Sequence, residues 1–258
     1  MVPQTNRTPI RWVDPELADP LGSTAAVGGL QQTKPMAFLH LPDMNLVQAV
    51  DFEIRAARQL GVDGFQFYYP LVDSTVTLAP RYNQIIRTFI QLSETRYPGF
   101  RVSLCLAHPN SQKAISEAER IALWSPSIRN LVQATRDSPA WLRTDSGSLL
   151  FYLWVGDALA DGVVSLAQSA EQVGKVGQAY QRLSRAIGTP IEYVYQVRRP
   201  EIDPAYIDSI VRTFPAVWGW TASEENIEFW DALAGRCKET GCLYTQSVYP
   251  DYYTSKVY

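Results

Sequence analysis

The chain of 258 residues has few of the side chains that bind metals or form disulfide networks. Its two histidines and three cysteines are too few for a histidine metal cluster or a Cys/His zinc pattern. Cys105 lies in the apolar run VSLCLA and is expected to be a small buried residue. The spacing of Cys237 and Cys242 leaves open whether those two residues form a bridge. We therefore expect neither a metal site nor a disulfide framework.

The phosphate-binding motifs of nucleotide and dinucleotide enzymes are also missing. No G-x-G-x-x-G pattern follows the first predicted strand, and no Walker A pattern occurs. The formal net charge of −3 offers no basic patch for nucleic acid. No run of residues approaches the ~18–20 apolar positions that a membrane helix needs. We therefore expect no cofactor, no nucleic-acid partner and no membrane partner.

The N-terminal residues MVPQTNRTPIRW lack the basic and then apolar pattern of a secretory signal. The expected location is therefore open: secreted if a signal peptide has been removed from this chain, and cytoplasmic otherwise.

The residues that are abundant point to a folded α/β protein with many aromatic side chains. The chain is 46% hydrophobic and contains 14 tyrosines and 7 tryptophans. Apolar runs rich in β-branched and aromatic residues alternate with segments of helical period. We predict helices at 46–61, 79–97, 169–188, 203–214 and 225–241, and helical structure over 116–142 that is broken at Pro126 and Pro139. The predicted strands are 35–41, 63–69, 100–108, 149–155, 191–197, 216–221 and 243–249.

Near-continuous apolar strands that alternate with helices favour a parallel sheet covered by helices. The predicted fold is a (β/α) barrel of the TIM type, which ordinarily has eight strands, whereas seven β/α units are visible. We expect the eighth strand to be missing or to be supplied by the N-terminal arm or by a partner subunit. Residues 1–33 are predicted to form that irregular arm, and residues 34–258 the barrel domain.

In such a barrel the active site lies where the strands end, because the loops that follow the strands project there. Aromatic rings with carboxylates and amides at these ends are typical of sugar recognition, and glycoside hydrolysis needs two carboxyl groups. The candidate catalytic acids are Asp157, Glu224 and Asp251, although each also fits a helix cap or a turn. The candidate substrate-binding residues are His40, Tyr68, Tyr69, His108, Trp154, Gln196, Arg198, Trp220 and Tyr249.

Three segments of the chain resemble one family of sugar-cleaving barrels. These are AFLHLPDM in the first strand, LGVDGFQFYYP in the second and LYTQSVYPDYYTSK in the seventh. Together they are similar in order and spacing to the glycoside hydrolase family 71 α-1,3-glucanases (mutanases), and more distantly to the family 99 endo-mannosidases. The resemblance implies a (β/α) barrel that cleaves a polysaccharide without a metal or cofactor. The family's W-N-D-Y-G-E type motif, which carries its two acids, does not occur in this sequence, so no family catalytic residue is carried over.

The sequence leaves several functions open. The first is a glycoside hydrolase, either a divergent one or one whose missing motif lies beyond this sequence. The second is a non-catalytic carbohydrate-binding or scaffold barrel. The third is a barrel that uses Arg198 or Arg199 to bind an anionic or uronic substrate; only one of the two arginines would enter the site, because neighbouring strand residues point to opposite faces.

Overall fold

A computed structural model describes residues 45–73, 75–110, 115–197, 203–219 and 227–246. The chain divides into two compact units, Met1–Val62 with Tyr249–Tyr258 and Asp63–Val248. The described part of the first unit holds one helix, α1 (Leu46–Gln59), which starts with a capping box formed by Asn45 and Gln48. The predicted strand 35–41 lies outside the described residues.

The second unit is an α/β fold built on one parallel sheet. Its six strands lie in the order in which they occur in the chain, each beside the next, and every pair is parallel. The strands are β1 (Gly64–Val72), β2 (Arg101–Asn110), β3 (Leu149–Trp154), β4 (Ile191–Val197), β5 (Ala216–Gly219) and β6 (Leu243–Gln246). The helices that alternate with them are α2 (Thr75–Thr95), α3 (Glu117–Thr135), α4 (Ala170–Ile187), α5 (Pro204–Thr213) and α6 (Ile227–Thr240).

This architecture confirms the predicted alternation of parallel strands and helices. Six of the seven predicted strands are present, and α4 starts at a Ser169 N-cap and ends at Gly188 in the left-handed region, as its sequence predicts. Closure of the sheet into a barrel and a seventh β/α unit stay predictions.

The two faces of the sheet have different partners. One face meets the helices: Phe67 contacts Phe89 of α2 with ring centroids 4.8 Å apart, and Tyr195 stacks on Phe214 at 4.6 Å. The other face, which we call the inner face, carries a buried cluster of Leu150, Val194, Ala216 and Trp218. Side chains therefore alternate between the helix layer and the inner face along each strand.

Two prolines depart from the prediction. The expected break at Pro126 is wrong, because α3 runs from Glu117 to Thr135 with that proline inside it. The buried side chains of Trp124 and Ile128 flank it, so packing offsets the hydrogen bond that proline cannot donate. Pro70 lies inside β1 rather than after it, at a shift in the register with β2.

Candidate functional site

Six polar and aromatic side chains from five neighbouring strands gather toward the carboxyl ends of the sheet. We call them the aromatic cluster. Strand register places five of them on the inner face, since Tyr68 pairs with Cys105, Cys105 with Tyr152, and Gln196 with Trp218, and His108 joins them through its contacts with Tyr68 and Trp154. The members are Tyr68 of β1, His108 of β2, Tyr152 and Trp154 of β3, Gln196 of β4 and Trp218 of β5.

Ring contacts and hydrogen bonds hold the cluster together. Trp218 lies 5.6 Å from Trp154 and 6.2 Å from Tyr152 between ring centroids. The Trp154 indole Nε1 donates to His108 Nε2 at 3.1 Å, and the Trp218 Nε1 donates to the carbonyl of Leu153 at 3.0 Å. His108 therefore accepts at Nε2, which makes its imidazole neutral in this arrangement. These bonds fix the ring planes before any ligand arrives.

The backbone at the ends of β2 and β3 is strained. His108 and Val155 have φ angles of 50°, in the left-handed region that residues other than glycine seldom adopt. For Val155 the strain is larger because its side chain is branched at Cβ, and its N–H donates to Gln196 Oε1 at 2.8 Å. Strained backbone of this kind is concentrated at ligand-binding and catalytic sites.

The phenol groups of the cluster are protonated at neutral pH. Burial raises the pKa of Tyr68 and of Tyr152, and the nearby Cys105 thiol adds to the effect in both. Both hydroxyls can therefore donate hydrogen bonds. None of the six side chains of the cluster carries a formal charge when His108 is neutral.

A cavity of about 490 Å³ lies along the inner face toward the amino ends of β1 and β2, where Asp63, Gly64 and Arg101 line it. Gln66 of the first strand and Thr245 of the last strand line it together with Tyr152 and Trp218. The sheet is therefore curved so strongly that its two edge strands border one space. The volume lies in the range of small-molecule sites in proteins.

Asp157 lies just beyond β3, but its carboxylate is part of a buried hydrogen-bond network. The side chain is 2% exposed, and its Oδ2 accepts from Ala167 N at 2.7 Å and from the Tyr195 hydroxyl at 2.8 Å. Tyr195 belongs to the helix-facing side of β4, where it stacks on Phe214. The structure therefore brings Asp157 to the helix layer and not to the aromatic cluster.

Tyr69 is also placed away from the cluster, because it alternates with Tyr68. Its side chain is fully buried, and its hydroxyl donates to Asn83 Oδ1 of α2 at 3.1 Å. Tyr68, by contrast, is 55% exposed, and its ring lies 6.3 Å from that of His108.

The structure thus brings four predicted site residues together, and it adds two that the sequence analysis missed. The four are Tyr68, His108, Trp154 and Gln196, and the two are Tyr152 and Trp218. Residues two positions apart in a strand lie on the same face. Tyr152 comes two positions before Trp154, and Trp218 two positions before Trp220, so the sequence does carry a signal for both missed residues. The remaining predicted residues lie outside the described residues: His40, Arg198, Trp220, Glu224, Tyr249 and Asp251.

The three cysteines are buried free thiols, so Cys237 and Cys242 are not bridged. Within the described ranges, no three His, Cys, Asp or Glu side chains come together as metal ligands. No helix in the described part of the chain is long and apolar enough to cross a bilayer.

No model of a known protein family matches this chain, and neither does any curated protein. The resemblance to glycoside hydrolases therefore stays a prediction that rests on the three segments quoted above.

Proposed function

We propose that this protein is a glycoside hydrolase that binds an oligo- or polysaccharide at the carboxyl edge of its sheet and cleaves it with a pair of carboxyl groups. The observation that carries the proposal is the aromatic cluster on a concave face. Trp and Tyr rings offer flat apolar surfaces to the C–H groups of a sugar ring, and the Tyr68 and Tyr152 hydroxyls can donate hydrogen bonds to its oxygens.

The chemistry requires one carboxyl group that stays protonated as the acid and one that is ionised as nucleophile or base. We propose Glu224 and Asp251 for these roles, because they follow the sixth and seventh predicted strands. Asp157 is better suited to a positioning role, since its side chain is buried and its carboxylate accepts hydrogen bonds from Ala167 N and the Tyr195 hydroxyl. A separation of ~5–5.5 Å between the two acids would give retention, and ~6.5–9.5 Å inversion.

Hydrolysis is tested by incubating the protein with a panel of α- and β-linked glucans and mannans and separating the products by chromatography. We expect oligosaccharide release from one polysaccharide, and a loss of at least about 10³-fold in turnover in Glu224→Gln and in Asp251→Asn. Glu225→Gln changes the neighbouring acid by the same chemistry and serves as the matched control. Full turnover in either of the first two variants would remove that residue from the mechanism.

A second candidate is a carbohydrate-binding protein without catalysis. One observation favours it. The Asp157 carboxylate accepts hydrogen bonds from Tyr195 and Ala167 in the helix layer, and none of the six residues of the aromatic cluster carries a carboxylate. This candidate predicts heat of binding on titration with an oligosaccharide and no product after long incubation. Product release that depends on Glu224 or Asp251 would exclude it.

A further inference from the structure

Gln196 is the most deeply buried polar side chain of the aromatic cluster. It is 3% exposed and lies on the inner face of β4, where it pairs with Trp218 of β5. A buried amide in such a position normally has partners for both its oxygen and its nitrogen, because an unpaired polar group away from water is costly.

The hydrogen bond from Val155 fixes which end of this amide is which. A backbone N–H can only donate, so the atom that it meets at 2.8 Å must be the amide oxygen. The nitrogen then points away from Val155. Among the described residues, no acceptor lies within hydrogen-bond distance of Gln196 Nε2.

We infer that Gln196 Nε2 is a specificity-determining donor, which binds a hydroxyl or ring oxygen of an uncharged sugar unit that lies against the aromatic cluster. The inference rests on the proposed function and deepens it, since it names the class of sugar and the atom that recognises it. The two amide ends have separate tasks. The oxygen holds the strained Val155 backbone, and the nitrogen is left for the ligand.

The described side chains of the aromatic cluster favour an uncharged ligand at this amide. A free N–H donor repels a cation, so an ammonium group does not fit beside it even though aromatic rings attract cations. A carboxylate could accept one hydrogen bond, but the described side chains of the cluster offer it no cation, and a buried unpaired charge is strongly disfavoured. A neutral hydroxyl-bearing sugar satisfies the donor without either conflict.

The substitution Gln196→Glu tests the donor alone. The carboxylate still accepts from Val155 N, while the N–H donor is replaced by an acceptor. Affinities of the wild type and the variant are measured by titration calorimetry with nigero-, malto- and manno-oligosaccharides, and with oligogalacturonate as the anionic probe. We expect the wild type to bind a neutral oligosaccharide at least about tenfold more tightly than oligogalacturonate, and Gln196→Glu to bind that neutral ligand at least about tenfold more weakly.

Gln133→Glu introduces the same charge at an exposed position of α3 and should leave the affinity unchanged. Singly deoxygenated analogues of the bound sugar complete the test. One of them should bind the wild type more weakly than its parent does, and that difference should vanish in Gln196→Glu.

The outcomes separate the two proposals. If the wild type binds no oligosaccharide of the panel, both the proposed function and this inference fail. If the wild type binds a neutral oligosaccharide and Gln196→Glu binds it equally well, the inference fails while the proposed function stands. Equal affinity of the wild type for oligogalacturonate would also overturn the inference, and that measurement needs no variant.

Discussion

The carboxylate of Asp157 is buried away from water. Its Oδ2 satisfies two donors that are distant in the chain, the backbone N–H of Ala167 and the hydroxyl of Tyr195. The Tyr180 hydroxyl donates to the carbonyl of the preceding Gly156 at 2.9 Å, and a Cβ at Gly156 would overlap that hydroxyl. The loop after β3 is thus fixed by buried hydrogen bonds to residues of α4 and β4.

Replacing Asp157 by alanine should destabilise the protein strongly. The change leaves the Ala167 N–H and the Tyr195 hydroxyl buried without this acceptor, and we expect the free energy of unfolding to fall by about 2–4 kcal/mol. Urea denaturation followed by circular dichroism measures the loss. Asp137→Ala, at a side chain that is 93% exposed, should change the free energy of unfolding by less than about 0.5 kcal/mol. Equal effects of the two substitutions would contradict the buried role.

The conservative variant Asp157→Asn separates positioning from catalysis. The amide keeps an oxygen that can accept both hydrogen bonds, so a positioning residue should retain most of the turnover of the wild type on the polysaccharide that the protein cleaves. Loss of turnover in a variant whose urea midpoint matches that of the wild type would instead restore the sequence-based prediction that Asp157 is a catalytic acid.

The sequence predicted some of the residues of the candidate site and missed others. It placed Tyr68, His108, Trp154 and Gln196 at strand ends, and the structure brings them together. It gave no sign that Asp157 turns to the helix layer, because Tyr195, one of its partners, lies 38 positions further along the chain. Trp218 was missed because the prediction took Trp220, at the end of the predicted strand 216–221, as the site residue, and Trp220 lies outside the described residues.

Two glycines in one helix show how contacts between elements decide what a substitution does. In α4, nothing lies within 4 Å of a Cβ built at Gly174, whereas a Cβ at Gly177 would overlap the Thr213 Cγ2 of α5. Gly177 therefore allows the close approach of α4 and α5.

The substitutions Gly174→Ala and Gly177→Ala should have opposite signs. Alanine at Gly174 should stabilise the protein by about 0.5–1 kcal/mol, since it favours the helix and meets no neighbour. Alanine at Gly177 should destabilise it by about 1–3 kcal/mol through overpacking. Thermal or urea unfolding measures both. Adding Thr213→Ser, which removes Cγ2, should recover much of the loss; an unrescued Gly177→Ala would show that the contact with Thr213 is not its cause.

The elements themselves were largely predictable, and the exceptions have physical reasons. The helical period of its apolar residues and its cap residues, Ser169 and Gly188, identify α4, because these start and stop signals lie in the helix sequence itself. The course of α3 through Pro126 could not be read locally, since it depends on the packing of Trp124 and Ile128. Pro70 within β1 likewise depends on an irregular register with β2.

Several buried tyrosine hydroxyls and one buried thiol make the stability of the whole molecule depend on alkaline pH. Burial raises the pKa of Cys105 to about 12 and that of Tyr69, Tyr180, Tyr193 and Tyr195 above the usual value for tyrosine. The folded state therefore keeps protons that the unfolded chain loses between about pH 8.5 and pH 10.

Stability should accordingly be highest below about pH 8.5 and should fall as the pH rises beyond that value. Each group that keeps its proton only when folded adds a slope of about 1.4 kcal/mol per pH unit. Urea midpoints at pH 7, 9 and 10.5 measure the trend, and Tyr193→Phe should flatten it by removing one titrating group. A midpoint that stays constant to pH 10.5 would contradict the expectation.

For the whole molecule, the sequence predicted the parallel sheet and its helices, because the apolar strands and amphipathic helices are encoded locally. The predicted barrel implied a curved sheet, but the sequence did not show that Gln66 and Thr245 border one cavity, since that depends on how six strands pack together.

The order of the strands in the sheet is the order in which the ribosome makes them. None of the six described strands has to be inserted between two others, so each newly synthesised β/α unit can dock on the edge left by the one before. At about 5–20 residues per second, each unit has several seconds to pair before the next emerges. Pairing of the described strands needs contacts only between neighbouring β/α units, which keeps the chain segments that must close short.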